Sequence, residues 1–151
     1  MVVESYITMK KNKILITCAR GITPFLKEEL LILGFPVISE TVAGIATEGT
    51  MDDTLRLNLL LRTGHRVLYL LKEFSARDAD DLYRAVSYIE WEGYIDSGEY
   101  VCVTSSVDNP TITTSLFANL RCKDAIVDRI KIKCGKRPDS GPEKNGVVVN
   151  L

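Results

Sequence analysis

The chain has 151 residues, enough for one ordinary domain or two small ones with a real hydrophobic core. Apolar residues make up 46% and charged residues 26%, a globular balance that excludes a disordered chain, and the short apolar runs exclude a membrane-spanning one. The net charge of −1 excludes a uniformly basic polyanion binder but hides a gradient: through residue 120, eleven Lys and Arg face sixteen Asp and Glu, and from residue 121 onward eight face four.

Residues 1–12 read as a lead-in with no secretory signal pattern, and a cytoplasmic location is expected. Lys13–Cys18 (KILITC) is short, apolar and β-branched, which predicts a strand. After a turn at Arg20-Gly21, Thr23 is placed to cap a helix with Pro24 in its first turn. Leu26, Leu30 and Leu33 form its inner stripe and Gly34 its end. Pro36–Thr41 and Ala43–Gly49 predict two strands joined by a tight hairpin. Thr50 caps a second helix, with Asp52 and Asp53 at its positive end. Leu55 and Leu59 are expected on its inner face, with Leu57, Leu60 and Leu61 filling out the rest. Gly64 breaks this helix, and Arg66–Phe74 predicts a strand. The order β-α-β-β-α-β is the ferredoxin-like pattern, two helices on one face of an antiparallel sheet.

A second region opens at Asp78, a predicted N-cap, with Leu82, Ala85, Val86 and Ile89 as an inner stripe. Trp91 is expected to plug the core or the seam between the halves. Tyr100–Val107 predicts a strand that Asn109-Pro110 ends. Ser115–Pro138 (SLFANLRCKDAIVDRIKIKCGKRP) is the strongest helical pattern in the chain. Leu116, Leu120, Val127, Ile130 and Cys134 are expected to share its apolar stripe, with Arg129 and Lys133 on a flank beside Cys122 and Gly135 as a left-handed C-cap. Asp139–Gly146 predicts a turn or loop, and Val147–Leu151 a closing strand. With a partner on one side at best, that strand leads us to expect a chain that continues beyond it.

The chemistry-bearing patterns are few. Neither GxGxxG nor GxxxxGK[ST] occurs. The single histidine, His65, sits at a helix-to-strand turn and serves no convincing triad. The four cysteines (Cys18, Cys102, Cys122 and Cys134) form no CxxC, so buried reduced thiols are expected rather than zinc ligands. The carboxylates between Glu73 and Glu99 fit helix-start and surface roles.

Five segments carry a resemblance: CARGITPFLKEEL, ETVAGIATEG, LNLLLRTGHRVL, DLYRAVSYIEW and, above all, LRCKDAIVDRIKIKCGKRP. Together they resemble the N-terminal part of THUMP-domain class I SAM-dependent RNA methyltransferases, the bacterial rRNA guanine-N2 group. The resemblance implies an α+β chain. A ferredoxin-like βαββαβ domain would occupy residues 13–75 and an α/β THUMP domain residues 76–151, truncated at its C-terminal end. It implies a module that positions structured RNA, rRNA above all, for the parent protein's own C-terminal methyltransferase domain. S-adenosylmethionine would be the cofactor of that domain, with none held by these residues and no methyl transfer by this chain alone. The pattern departs from the family at Thr114-Ser115, where an Asn-Ser-type pair is usual.

Lys123, Arg129, Lys133, Lys136 and Arg137 are the candidate RNA contacts, joined by Arg62 and Arg66 beside the Gly64-His65 turn. Each has a plainer reading. Lys123 can run its stem along the core edge, with Asp124 pairing Lys131, and the others can be ordinary solvated charge. The alternative function is a structural or protein-interaction domain that uses Trp91 and the acidic Glu73–Glu99 surface.

Overall fold

The computed structural model describes residues 10–108 and 110–151. The first nine residues of the lead-in and Asn109 of the expected strand break lie outside the described residues. The chain forms two compact units, one ending at Leu71 and the other beginning at Lys72.

The N-terminal unit is built from β1 (Asn12–Thr17), α1 (Thr23–Ile32), β2 (Ser39–Thr41), β3 (Gly44–Gly49), α2 (Met51–Leu60) and β4 (Arg66–Tyr69). Its antiparallel sheet has the order β2-β3-β1-β4. The expected βαββαβ ferredoxin-like arrangement is therefore present. β1 is central, and its period-two pattern buries Ile14 and Ile16 completely while Leu15 faces out. Ile16 is paired with Ile45 and Val67 on its two neighbours. Leu26, Leu30 and Leu57 close the core over these strands. Thr41 pairs with Gly44 across a two-residue turn. Gly44 is required there, because a Cβ would lie 2.5 Å from the Ile16 carbonyl oxygen.

Two local expectations change. Helix α1 starts with Ile22 as its cap, and Thr23 accepts no capping bond. The Thr23 hydroxyl instead donates to the Thr41 carbonyl at 3.2 Å, tying the helix start to the hairpin. In α2, Leu55 and Leu59 are exposed, whereas Thr54 and Leu57 are buried and Leu61 packs against the core. The inward face follows the spacing 54, 57, 61 and so includes a threonine that a count of leucines misses. Thr50 does cap α2: its hydroxyl accepts from Asp53 N at 3.1 Å, and Thr50 N donates to the Asp53 carboxylate at 2.9 Å. This reciprocal capping box stabilises the helix by about 1 kcal/mol.

The C-terminal unit comprises α3 (Ala79–Ser87), a 3-10 turn (Trp91–Gly93), β5 (Tyr100–Thr104), α4 (Ser115–Cys134), β6 (Asp139–Ser140) and β7 (Val147–Asn150). Its three strands are parallel in the order β6-β5-β7. Val101, Cys102 and Val103 of β5 are all buried, as expected for a central parallel strand covered on both faces. β6 was expected to be loop. It is two residues long, and its Asp-Ser sequence carries no strand signal. Asp78 caps α3 by accepting from the backbone N–H groups of Asp80 and Asp81. Trp91 is 2% exposed and its indole N–H donates to the Val86 carbonyl at 2.8 Å. It is a core residue of this unit and offers no surface to a partner.

Candidate nucleic-acid interface

Helix α4 positions most of the candidate residues. Thr114 is its N-cap, accepting from Phe117 N, and Gly135 ends it at φ 74°. That left-handed conformation suits glycine, which has no Cβ to clash. The buried face differs from the expected stripe. Ala118, Cys122, Ala125, Ile126, Val127 and Ile130 are buried, whereas Leu116 (71% exposed), Leu120 and Cys134 are exposed. Small side chains on the inner face allow close packing, so the large apolar residues do not mark it. Burial pushes the Cys122 thiol up to about 12, which makes it an inert core residue.

This rotation moves Arg129 inward. Its guanidinium is 16% exposed and grips Glu92 with two bonds, Nη2 to Oε1 at 2.6 Å and Nε to Oε2 at 3.0 Å. It also donates to the Ser87 carbonyl at 3.2 Å. The hydrogen bond from Arg129 holds the Glu92 carboxyl below its ordinary value, against the opposing effect of burial. The same bond raises Arg129. Arg129 is thus a bidentate clamp between α4 and the 3-10 turn, with the carboxylate-binding edge of its guanidinium already occupied. About two turns back, Arg121 pairs with Asp80 at 2.7 Å and lies over the Tyr83 ring, 4.9 Å from its centroid. Much of the acidic stretch is likewise engaged inside the unit: Asp81 holds Arg77 and Arg84, and its carboxyl is lowered first by the Arg77 backbone N–H.

The remaining cations of α4 and its C-terminal turn are held differently. Lys123 is 22% exposed, and its ammonium lies 3.0 Å from Asp124. The partners of Asp124 are therefore Lys123 and Arg137, at 3.0 and 3.9 Å, rather than the expected Lys131. Arg137 also faces Asp128 at 3.8 Å. Asp128 in turn accepts from the Tyr83 hydroxyl at 2.9 Å. Burial and then this bond push the Tyr83 hydroxyl up. Lys131, Lys133 and Lys136 are exposed and make no ion pair among the described residues, although Lys133 is near enough to Glu92 to help lower its carboxyl. Lys131, which the sequence reading used only as a pairing partner, therefore joins Lys133 and Lys136. Its signal was its position in the last helical turn. Ile132 is 80% exposed among these cations.

Arg62 and Arg66 belong to the N-terminal unit, and both side chains are exposed. The Arg62 and Thr63 backbone N–H groups donate to the Glu29 carboxylate, at 3.3 and 3.1 Å to Oε2, and the Thr63 hydroxyl donates to it at 2.6 Å. Burial pushes Glu29 up, but these donors outweigh it and the carboxyl ends below its ordinary value. The turn that carries Arg62 is thereby pinned to α1. His65 donates its backbone N–H to the Thr17 carbonyl at 2.7 Å. No cluster of three or more His, Cys, Asp or Glu able to hold a metal occurs among the described residues, and none of their helices is long and apolar enough to cross a membrane.

Comparison with known proteins matches residues 13–68 to the RlmL ferredoxin-like domain and residues 76–149 to the THUMP domain. A ribosomal RNA large subunit methyltransferase K/L from Syntrophotalea carbinolica is 37% identical over 92% of this chain and 20% of its own length. One of the same name from Pseudomonas savastanoi pv. phaseolicola is 35% identical over 85% of this chain and 17% of its own length. The chain thus spans about a fifth of the curated relatives it matches. Among solved structures, a possible methylase from Clostridium difficile 630 superposes with a TM-score of 0.75 at 21% identity, over 93% of this chain and 39% of that one. SMU.472, a methyltransferase candidate complexed with SAH, gives a TM-score of 0.75 at 28% identity, over 93% and 37%.

Proposed function

The chain belongs to the family in which an RlmL ferredoxin-like domain precedes a THUMP domain, and on that premise we propose that it is an RNA-binding module serving an rRNA methyltransferase. The domains are taken as residues 13–75 and 76–151. The relatives' names suggest ribosomal RNA as the ligand and S-adenosylmethionine as the cofactor of a catalytic domain outside these residues. The proposed partners are that domain and structured RNA, in the cytoplasm.

One observation carries the reading: the charges on α4 are divided by role. Arg121 and Arg129 are engaged by acids of the same unit, whereas Lys131, Lys133 and Lys136 stand exposed and unpaired among the described residues at the helix end. Cations near a helix C-terminus also complement its dipole, an effect of about 0.3–1 kcal/mol each. The Gly135 turn carries Lys136 and Arg137 beyond the last helical residue, Cys134. The proposed contact set on this unit is therefore Lys131, Lys133, Lys136 and Arg137, with Lys123 behind its carboxylate; Arg62 and Arg66 are separate candidates on the first unit. Arg129 is withdrawn from the set because Glu92 and Ser87 already take three of its five N–H donors.

The test is the affinity of a fluorescein-labelled RNA stem-loop, followed by anisotropy across a salt series. Wild-type binding should fall steeply with salt, and each lost phosphate contact should flatten the log–log slope by about 0.7–0.9. Binding that is unchanged by Lys133→Glu and Lys136→Glu, with the fold retained, would exclude this face.

A further inference from the structure

Two arginines of the C-terminal unit meet carboxylates in different ways. Arg129 is bound tightly by Glu92 at 2.6 and 3.0 Å. Arg137 lies between Asp124 and Asp128 at 3.9 and 3.8 Å, beyond hydrogen-bonding distance, and is 49% exposed. Its attraction to the two acids is electrostatic, and its N–H donors are not consumed by them. The acids themselves are held in place. Asp128 is fixed by the Tyr83 hydroxyl at 2.9 Å, and Asp124 lies against the Lys123 ammonium at 3.0 Å. Both carboxylates are part-exposed beside Lys123 and Arg137.

We propose that Asp124 and Asp128 serve as an internal counter-anion for Lys123 and Arg137, so that RNA phosphate engages these two cations only by displacing carboxylate. This inference rests on the RNA-binding reading and deepens it by assigning specificity-setting residues. In the resting state, Lys131, Lys133 and Lys136 make the first encounter. The Lys123–Arg137 pair is released only to a ligand that brings enough phosphate to outcompete two fixed acids. The acids thus lower affinity for weakly charged ligands and leave Arg137 ready to donate.

The test compares the full chain with Asp124→Asn/Asp128→Asn and with a control of equal charge change, Glu73→Gln/Asp108→Asn, at exposed acids of the same unit. Asn at 128 still accepts from Tyr83, and circular dichroism checks that each protein is folded. The probe is the same labelled RNA stem-loop across a salt series. The Asp124/Asp128 variant should bind about three- to fivefold more tightly, the upper part of the range that loss of a competing exposed ion pair allows. Its salt slope should steepen by about one to two contacts, whereas the control should change affinity less than about twofold and leave the slope in place. Wild-type binding with equal affinity and slope in variant and control overturns this inference alone. Failure of every protein to bind RNA overturns it together with the reading beneath it.

Discussion

The body and the C-terminal end of α4 carry similar residue types and do opposite work. In the body of the helix, Arg121 and Arg129 are matched one to one with Asp80 and Glu92. At the helix end, Lys131, Lys133 and Lys136 make no ion pair among the described residues, although Lys133, one turn on from Arg129, still feels Glu92, and Arg137 is held only at a distance. The comparison teaches that a basic segment is not a binding surface by composition. A guanidinium that already donates to a carboxylate and a carbonyl has spent its directionality, whereas an exposed ammonium keeps all its donors for a ligand.

The comparison can be broken most forcefully at the core that sets the rotation of α4. Trp91→Ala removes a fully buried indole and its bond to Val86, and should cost about 3–5 kcal/mol, read by urea denaturation. Arg129→Ala comes next: losing a charged, largely buried clamp should cost about 1.5–3 kcal/mol of stability. Where the variant stays folded, its RNA affinity should hold within about twofold. A large loss of affinity without loss of stability would move Arg129 back among the contacts.

Lys133→Glu and Lys136→Glu should do the reverse. Each should weaken RNA binding about tenfold through its change of two charges, with stability lowered by about 1 kcal/mol at Lys133, in the last helical turn, and by less at Lys136. A subtler effect concerns pH. The Glu92 carboxyl lies below its ordinary value when folded, so its contribution is complete above the unfolded value of about 4.3 and fades as pH falls through the folded one. The stability difference between wild type and Glu92→Gln should therefore be constant near neutrality and narrow below about pH 4.3. A difference that instead widened with acid would contradict the clamp. The smallest expected change is at Leu59, 85% exposed: Leu59→Lys should shift stability by less than about 0.5 kcal/mol.

Much of the fold was legible because local signals agreed with one another. Thr50, Asp78 and Gly135 marked helix ends by chemistry that acts within a few residues, and the alternation around Ile14 and Ile16 marked a half-buried strand. The faces of α2 and α4 were not legible in the same way. A periodicity count rewards large apolar residues, but tertiary packing chose Thr54 and Leu57 in one helix and Ala118, Cys122 and Ala125 in the other. That misreading of α4 by part of a turn is what made Arg129 look like a free cation. The candidate site was legible as charge near Gly135, but its division into paired and unpaired residues was not. Glu92 and Arg129 are 37 residues apart, and their pairing depends on how α4 packs against the 3-10 turn.

The most direct measurement is the salt dependence of RNA stem-loop affinity for the Lys133→Glu/Lys136→Glu variant beside Arg129→Ala. The division of charge on α4 predicts a weaker affinity and a slope flatter by about two contacts for the lysine variant, with an unchanged slope for Arg129→Ala. An unchanged slope for the lysine variant and a flattened one for Arg129→Ala would contradict it.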